Sequence, residues 1–538
     1  MMNADAVATL TRNAPGLERD AGGRVDRALL DRTLARNAVA ARGRECMAVR
    51  APFTGELLAN IPLGLPADAD NAIVRARAAQ AGWAKRGARR RGSVLVRFHD
   101  LLLERREKVL DLIQLESGKV RSHALEEVFD TALVALHYGR NAAKYLRTRR
   151  RPGALPGLTM TREYRNPVGV VGVIAPWNFP LILGITDVLA ALAAGNAVVL
   201  RPDMQSSLTA LWTADLLSTA GLPDDVLQVV TGDGPTIGPA LIAGVDYLMF
   251  TGSSRTGRIV AQAAAQRLIG FSLELGGKNP MIVLEDADLD AAVDGAVRGA
   301  FVGAGQVCVS VERLYVHASL LDAFAERLVQ RVKGMKLSAA LDYEGDMGSL
   351  TSTRQIDVVE SHVGDALDKG ATLLVGGGRR PDVGPLFYLP TVLTGVTPDM
   401  RMFSEETFGP VVALYGFDTD EEAIERANDS HYGLSASVWS RSVPHALRVA
   451  RRIQCGSVNV NEAYGATWTA TSAPIGGMKE SGHGRRHGAE GILKYTESQT
   501  IAVQRMLSLA PPPFLSAKTY ARAMPHLLRL MRWIPGLR

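Results

Sequence analysis

The chain contains little cysteine and no long hydrophobic run. Its 538 residues include only Cys46, Cys308 and Cys455, which cannot form a disulfide framework and are typical of a reducing compartment. The most apolar window, Leu181–Leu200, is interrupted by an aspartate, a glycine and an asparagine. It therefore predicts a buried helix and a buried strand and not a membrane span. The first residues lack the charged and apolar regions of a signal peptide, so we expect a cytoplasmic protein.

Acidic residues are missing after Glu497, and this absence locates the positive charge of the protein. The formal net charge is +6, and six basic residues follow Glu497. Removing these six leaves 55 basic and 55 acidic side chains, so the body is neutral and no nucleic-acid partner is expected. Apolar residues make up 47% and charged residues 22%, which excludes a disordered, collagenous or coiled-coil chain. The six residues are Arg505, Lys518, Arg522, Arg529, Arg532 and Arg538.

Strand-like and helical stretches alternate along most of the chain. Residues 1–44 predict an N-terminal extension with a helix near 25–41, and residues 504–538 a basic tail. Amphipathic helices are predicted at Asp68–Lys85 and Ser93–Glu116. Repeated strand–helix–strand order favours an α/β protein with a doubly wound parallel sheet, and a second α/β set follows Gly277. The predicted strands are Met160–Tyr164, Gly169–Ile174, Ala197–Leu200, Val226–Val230, Tyr247–Phe250 and Phe271–Leu275, then Pro280–Leu284, Leu314–Val316, Val411–Phe417, Ala436–Trp439 and Val458–Val460.

Three side chains are candidates for carbonyl chemistry. Cys308 follows two glycines and a glutamine that leave a thiol reachable, and a thiolate attacks carbonyl carbon readily, although a lone cysteine is more often a small buried hydrophobe. Glu274 ends an apolar strand before two glycines, where it could serve as a general base or only pair with Lys278. Asn178 lies between two prolines and could donate to an oxyanion or only form a turn.

A further junction is a candidate phosphate site. Gly252 and Ser253 follow the predicted strand Tyr247–Phe250 and precede a helix. Unpaired N–H groups and the helix dipole favour an anion at such a position. The junction lacks the G-x-G-x-x-G pattern, so by itself it is weak evidence.

Taken together, these runs resemble the aldehyde dehydrogenase superfamily. The similarity extends from about Ala51 to Val503, and the sequence most resembles the NADP-type succinate-semialdehyde dehydrogenases through RLIGF (267–271), DMGSL (346–350) and GILKYTESQTIA (491–502). The superfamily motifs are PWNFP (176–180), FTGS (250–253), LELGGKNP (273–280), GQVC (305–308), ETFGPV (406–411) and SAPIGGMKESGHGRRHG (472–488).

The resemblance implies a fold, a set of roles and an oligomer. It implies an aldehyde-dehydrogenase fold with a dinucleotide-binding domain (45–148 and 168–275), a catalytic domain (276–475) and bridging oligomerisation segments (149–167 and 476–503). The bridging segments imply a homodimer or homotetramer. Cys308 would be the nucleophile, Glu274 the base, and Asn178 with the Cys308 N–H the oxyanion hole. No metal is implied. The cofactor would contact Trp177, Asn178, Arg201, Met204, Gly252, Ser253, Leu275, Glu406 and Phe408.

Several positions depart from the family pattern. Arg201 replaces the usual lysine, and Met204 replaces a glutamate that is common in NAD-preferring members. We therefore expect NADP to be preferred, with NAD possible. Ser310 replaces a second cysteine found in many succinate-semialdehyde enzymes. The arginines that hold the substrate carboxylate in such enzymes are absent, because the matching positions are Val302 and Thr186 or Asp187.

Three functions remain open on the sequence. The preferred one is NAD(P)-dependent oxidation of an aldehyde, with succinic semialdehyde as first candidate and a broad range of aliphatic and aromatic aldehydes as the alternative. A CoA-acylating enzyme would have little use for the base Glu274. A third hypothesis is a peripheral membrane protein docked by residues 515–535, where basic and apolar residues interleave. Pro525 and Pro535 limit the predicted helix there to about two turns, and packing on its own protein or a sister subunit is equally compatible with the pattern.

Overall fold

The computed structural model of the protein describes residues 27–152, 159–504 and 510–533. The first part of the predicted N-terminal extension and both ends of the basic tail lie outside the described residues. Strands occur at Cys46–Arg50, Leu57–Pro62, Arg149–Arg151, Thr159–Pro167, Val170–Ile174, Ala197–Arg201, Leu227–Val229, Tyr247–Thr251, Gly270–Glu274, Asn279–Val283, Val311–His317, Thr372–Val375, Thr391–Thr394, Val411–Phe417, Tyr432–Gly433, Ser435–Trp439, Ser457–Val460, Met478–Lys479, Gly482–His483 and Thr496–Gln504.

Helices separate most of these strands, as the alternation of the sequence predicts. The α-helices are Arg27–Leu34, Pro66–Lys85, Gly87–Glu104, Arg106–Ser117, Arg121–Tyr145, Pro180–Ala194, Ser207–Thr219, Gly234–Gly244, Ser254–Gln266, Leu289–Phe301, Leu321–Lys333, Thr353–Asp368, Arg401–Ser404, Asp420–Asn428, Val443–Ala450, Gly465–Thr469, Gly488–Leu493 and Ala517–Met531, with short 3₁₀ turns at Met204–Ser206, Val302–Gly305 and Ala318–Leu320.

A six-stranded sheet, here called the cofactor sheet, carries the first set of predicted strands. All its neighbouring strands are parallel except the short first one, which is antiparallel. Alternate strand side chains point to opposite faces, and helices cover both faces, so every position of the three central strands Tyr247–Thr251, Val170–Ile174 and Ala197–Arg201 is buried. The doubly wound prediction is thereby confirmed. The order across the sheet is Gly482–His483, Gly270–Glu274, Tyr247–Thr251, Val170–Ile174, Ala197–Arg201 and Leu227–Val229.

A seven-stranded sheet, here called the catalytic sheet, carries the second set. It is parallel except for the antiparallel edge pair Thr372–Val375 and Thr391–Thr394, two strands that the sequence reasoning missed. The order is Thr372–Val375, Thr391–Thr394, Val411–Phe417, Val311–His317, Asn279–Val283, Ser435–Trp439 and Ser457–Val460.

A small antiparallel sheet joins two distant parts of the chain. Thr496–Gln504 pairs with Thr159–Pro167 over nine residues, and Arg149–Arg151 pairs with the other side. Eight of the nine residues of Thr496–Gln504 are exposed, so its outer edge is open to solvent in the single chain. The bridging role of this sheet in a homodimer or homotetramer stays a prediction.

Two predicted helices differ from the structure. The predicted helix Ser93–Glu116 is two helices, because the backbone of Arg105 (φ −102°, ψ 17°) leaves the helical region and ends the first one. The two-turn limit for the tail helix is wrong, since Ala517–Met531 continues through Pro525 for 15 residues. Proline removes a single N–H donor from the interior, and the neighbouring turns keep the helix in register. The apolar window is confirmed as the buried helix Pro180–Ala194 and the buried strand Ala197–Arg201.

None of the helices in the described part of the chain is both long and apolar enough to cross a membrane.

Candidate active site

The cofactor sheet brings most of the predicted site residues to one edge. Four neighbouring strands, Val170–Ile174, Ala197–Arg201, Tyr247–Thr251 and Gly270–Glu274, are parallel, so their carboxyl ends lie together. Ligands of open α/β sheets bind at this edge. Each strand end delivers predicted residues there: Trp177 and Asn178, Arg201 and Met204, Gly252 and Ser253, Glu274 and Leu275.

Cys308 lies in a tight loop between the helix Leu289–Phe301 and the next strand of the catalytic sheet. The loop passes so close to a neighbouring segment that a Cβ at Gly305 would lie 2.0 Å from the carbonyl oxygen of Gly409. Glycine is also favoured there by its φ of 70°. The Cys308 carbonyl accepts a hydrogen bond of 2.8 Å from Asn279 Nδ2. Backbone packing therefore holds the half-buried thiol in place.

Asn178 is fixed beside this loop. Its Nδ2 donates to the carbonyl of Gln306 at 2.9 Å, which uses one of the two amide hydrogens and leaves the second for a developing oxyanion. The backbone carbonyl of Asn178 accepts a hydrogen bond from Lys119 Nζ at 2.7 Å. Lys119 is buried and pairs with the buried Glu127 at 2.5 Å, and Glu127 accepts the N–H of Leu181 at 2.9 Å. The sequence reasoning missed this support, because it depends on contacts between distant segments.

Burial raises the pKa values of both Glu274 and Cys308, but to different levels. Burial raises the pKa of Glu274 to about 7, while the positive charges of Arg486 and Lys494 oppose the rise. Burial raises the pKa of the Cys308 thiol to about 12, and the negative charges of Glu274 and Glu406 add to it. The thiol is thus neutral near pH 7, and a carboxylate base that titrates near that pH lies within its electrostatic reach.

Arg486 belongs to a buried ionic cluster that the sequence reasoning did not find. Its Nη2 pairs with Asp187 at 2.9 Å and donates to Thr251 Oγ1 at 2.7 Å. Thr251 stands opposite Glu274 in the sheet register, so the guanidinium is held beside the candidate base. Asp187 also accepts from Lys494 Nζ at 2.9 Å. The only sequence signal for Arg486 is a charged residue inside a glycine-rich run.

Glu406 lies against the two glycines that follow Glu274, and Phe408, two residues further on, contacts Trp177. Glu406 Oε1 accepts the N–H of Gly277 at 2.9 Å, and a Cβ at Gly276 would lie 2.3 Å from Glu406 Oε2. The rings of Trp177 and Phe408 meet edge to face with centroids 5.6 Å apart. The sequence motif ETFGPV and the turn PWNFP thus face each other in the fold.

A second buried ion pair holds the segment that carries Glu406 and Phe408. Lys278 Nζ pairs with Glu312 at 2.5 Å, and the Glu312 carboxylate accepts the N–H groups of Thr407 and Phe408 at 3.0–3.1 Å. Burial, together with the charge of Glu312, raises the pKa of Glu406 to about 8. The pairing of Glu274 with Lys278 that the sequence left open is not seen, because Lys278 is paired with Glu312.

The phosphate-site prediction falls on a well-formed helix start. The Ser253 hydroxyl caps Ser254–Gln266 by accepting the N–H three residues later at 3.3 Å. A Cβ at Gly252 would lie 2.6 Å from the ring of Phe250, so a larger residue would disturb the turn. Leu275 packs against the same helix. The remaining N–H groups at this terminus can receive a phosphate.

Arg201 and Met204 lie next to each other and are largely buried. Arg201 Nε donates to the carbonyl of Gly232 at 3.0 Å, and the N–H of Gly232 approaches Met204 Sδ at 3.0 Å. Asp203 caps the following turn by accepting from the N–H of Gln205 at 3.0 Å. The guanidinium of Arg201 is 3.9 Å from the Asp203 carboxylate, so a cation at this strand end is partly neutralised.

Cys308 lines a cavity of about 180 Å³. Its walls are mainly apolar and aromatic, and Arg298 is the only basic group among the described residues that line it. Arg298 is shared with two carboxylates, Glu126 at 3.3 Å and Glu462 at 3.4 Å. The lining residues are Glu126, Phe129, Asp130, Phe179, Ile182, Leu183, Arg298, Val307, Cys308, Val309, Tyr464, Gly465, Trp468 and Thr469.

The positions compared with substrate arginines lie elsewhere. Val302, Thr186 and Asp187 do not line this cavity, and Asp187 is occupied in the ionic cluster with Arg486. The cation that the sequence reasoning did not find is Arg298, four residues before Val302 on the helix Leu289–Phe301. No group of three or more metal-ligating side chains occurs in the ranges that the structure describes.

Comparison with known proteins places this site in a family. The model of the aldehyde dehydrogenase family matches residues 39–501. The chain is 49% identical over 493 residues (92% of this chain and 95% of the relative) to a Mycolicibacterium smegmatis protein named "Putative succinate-semialdehyde dehydrogenase", with NADP(+) as its stated cofactor. It is 40% identical over 460 residues (84% of each) to a 4,4'-diapolycopene aldehyde oxidase of Methylomonas.

Solved structures agree with the sequence comparison. The betaine aldehyde dehydrogenase of Staphylococcus aureus in complex with NAD+ superposes with a TM-score of 0.83 at 35% identity, over 88% of this chain and 94% of that one. An aldehyde dehydrogenase of Brucella melitensis gives 0.82 at 36% identity, over 86% and 94%. The chain therefore belongs to the aldehyde dehydrogenase family. It is an aldehyde dehydrogenase, and the predicted family, fold and nicotinamide-type cofactor are confirmed at this level.

Proposed function

We propose that the protein oxidises an aldehyde to the free acid, with NADP preferred over NAD and succinic semialdehyde as the first candidate substrate. The observation that carries this proposal is that Cys308 lines an apolar cavity and lies within electrostatic range of Glu274, whose pKa is raised to about 7 by burial. A nucleophile and a base of this kind are what acylation and hydrolysis at one carbon require.

The predicted cofactor residues at the carboxyl edge of the cofactor sheet have the chemistry that a dinucleotide requires. The helix start at Ser253 suits a phosphate, a carboxyl oxygen of Glu406 can accept from a ribose hydroxyl, and the rings of Trp177 and Phe408 provide apolar walls. Arg201 and Met204 would lie near the adenosine ribose, where Met204 has no charge to repel a 2′-phosphate. When bound, the nicotinamide ring supplies the electron acceptor of the oxidation.

The chain's own residues would act in two stages. In the first, the thiol of Cys308 gives its proton to the carboxylate of Glu274 while sulfur attacks the aldehyde carbon, and the second amide hydrogen of Asn178 stabilises the oxyanion. After oxidation the carbon is a thioester of Cys308. Glu274 then releases the proton that it took from Cys308 to solvent. In the second stage the ionised Glu274 takes a proton from water while the water oxygen attacks the thioester carbon. The C–S bond breaks, Glu274 returns that proton to the departing sulfur, and the acid and the Cys308 thiol are released.

A water-activating base in this position argues for hydrolysis over acyl transfer to CoA. The pKa of Glu274 near 7 keeps a useful fraction in the basic form at neutral pH. A CoA thiol would need no such base.

The cavity supports a broad substrate range. Its walls are mostly apolar, and its one cation is shared between Glu126 and Glu462. A carboxylate substrate would have to compete with these two groups for Arg298, whereas an uncharged aldehyde would not. We therefore expect succinic semialdehyde and neutral aldehydes of similar length to be oxidised alike, within about tenfold in kcat/KM.

The test is a panel of succinic semialdehyde, butanal and benzaldehyde with the purified enzyme and with Arg298→Gln. If Arg298 binds the substrate carboxylate, the variant loses roughly 10- to 100-fold in kcat/KM for succinic semialdehyde alone, the size of a charged hydrogen bond. Arg327→Gln is the matched control, because Arg327 is an exposed arginine that pairs with Asp290 away from the cavity. Activity restricted to succinic semialdehyde would contradict the breadth, and activity on none of the three would contradict the proposed substrates.

A further inference from the structure

The C-terminal helix Ala517–Met531 has one apolar side and one basic side. Its larger apolar residues follow the spacing i, i+4, i+7, i+8, i+11, which places them on one face of a helix with 3.6 residues per turn. Lys518, Arg522 and Arg529 lie on the opposite face, and Arg532 follows at the helix end. The apolar face consists of Tyr520, Met524, Leu527, Leu528 and Met531.

Part of this apolar side is exposed to solvent. No residue of the helix is buried, and Leu527 and Leu528 of the apolar side are 42% and 58% exposed. Trp533, directly after the helix, is 72% exposed, and Phe514, just before it, is 85% exposed. Leaving exposed apolar side chains in water is unfavourable, so this surface is a candidate contact site for a partner.

The charge of the helix indicates what that partner is. Four cations occur between Lys518 and Arg532, and no acidic residue follows Glu497. A second copy packed on the apolar side could cover the apolar residues, but it has no acidic residue in this segment and would leave the cations of both helices without a counter-charge. A surface that is both apolar and negatively charged satisfies both faces at once.

We propose that the helix Ala517–Met531 docks the enzyme onto the surface of an anionic lipid bilayer. The helix would lie in the interface plane, with Leu527 and Leu528 in the acyl region and the basic side chains at the lipid phosphates. Its 15 residues span about 22 Å, which is shorter than the hydrocarbon core of a bilayer, roughly 30 Å thick. The docking is independent of which aldehyde the enzyme oxidises.

The experiment is sedimentation of the full-length enzyme with vesicles of phosphatidylcholine alone or of an equal mixture with phosphatidylserine. Binding is expected to the mixed vesicles only, and to weaken as salt is raised. Lys518→Ala/Arg522→Ala removes two cations and should weaken binding roughly 25-fold, at about fivefold for each charge. Leu527→Ser/Leu528→Ser should abolish binding while oxidation of aldehydes in solution is unchanged.

The matched control is Val74→Ser/Leu268→Ser, which removes two exposed apolar side chains (68% and 94% exposed) from the enzyme body and should bind as the parent does. Failure of the parent to sediment with the mixed vesicles would overturn the proposal. So would equal binding to both kinds of vesicle. If the parent does not bind vesicles, analytical ultracentrifugation of the parent and of Leu527→Ser/Leu528→Ser becomes the deciding measurement. A different oligomeric state in the variant would assign the helix to a contact with a second copy instead.

Discussion

Replacing Glu274 by glutamine tests the centre of the mechanism, because glutamine keeps the size of the side chain and removes the base. The pKa of Glu274 is raised to about 7, so about a tenth of the groups are ionised at pH 6 and about nine-tenths at pH 8. The basic form is the one above the pKa. Steady-state oxidation by the parent should therefore fall as the pH drops through 7, approaching tenfold per pH unit.

In Glu274→Gln this acid limb should disappear, and the steady-state rate should fall by roughly 10²- to 10⁴-fold, the usual contribution of general base catalysis. Stopped-flow absorbance of the reduced cofactor separates the two stages. A normal burst followed by slow turnover would assign Glu274 to thioester hydrolysis, and a slow burst would assign it to thiol activation as well. Glu326→Gln, at an exposed position on the helix Leu321–Lys333, is the matched control.

A variant Glu274→Gln that keeps both the parent's rate and its acid limb near pH 7 would refute the reasoning, because the titrating group would then be a different one.

Three further substitutions test other parts of the site. Cys308→Ser should abolish oxidation but keep NADPH binding in a fluorescence titration, and measurable turnover would remove Cys308 from its role. Met204→Glu should shift the ratio of kcat/KM toward NAD by about 1–3 kcal/mol, and an unchanged ratio would place residue 204 away from the ribose. Arg486→Met should move the acid limb to higher pH, because the cation lowers the pKa of Glu274. It should also cost about 3 kcal/mol of unfolding free energy in urea, since Asp187 loses a buried partner but keeps Lys494; an unmoved limb would contradict this electrostatic role.

The sequence by itself was sufficient for the class of fold and for naming Cys308, Glu274 and Asn178 as candidate site residues. Strand–helix alternation predicted the parallel sheets, and continuous apolar runs predicted strands that are buried on both faces. Cys308, Glu274 and Asn178 could be found because each stands in a short segment whose turn chemistry is local, next to glycine or proline. The local conformation that glycine and proline favour in such segments depends little on what the segments pack against.

The tertiary structure alone decided which charges act on those residues. Arg486 reaches Thr251 and Asp187, Lys119 supports Asn178, and Arg298 enters the cavity, all from segments far away in the chain. Periodicity and local motifs carry no information about such contacts, because a side chain's partners depend on how helices and strands pack in three dimensions. For the same reason a helical pattern alone left the partner of the basic tail open, and only the fold shows that no residue of this helix is buried and that Leu527 and Leu528 stay exposed.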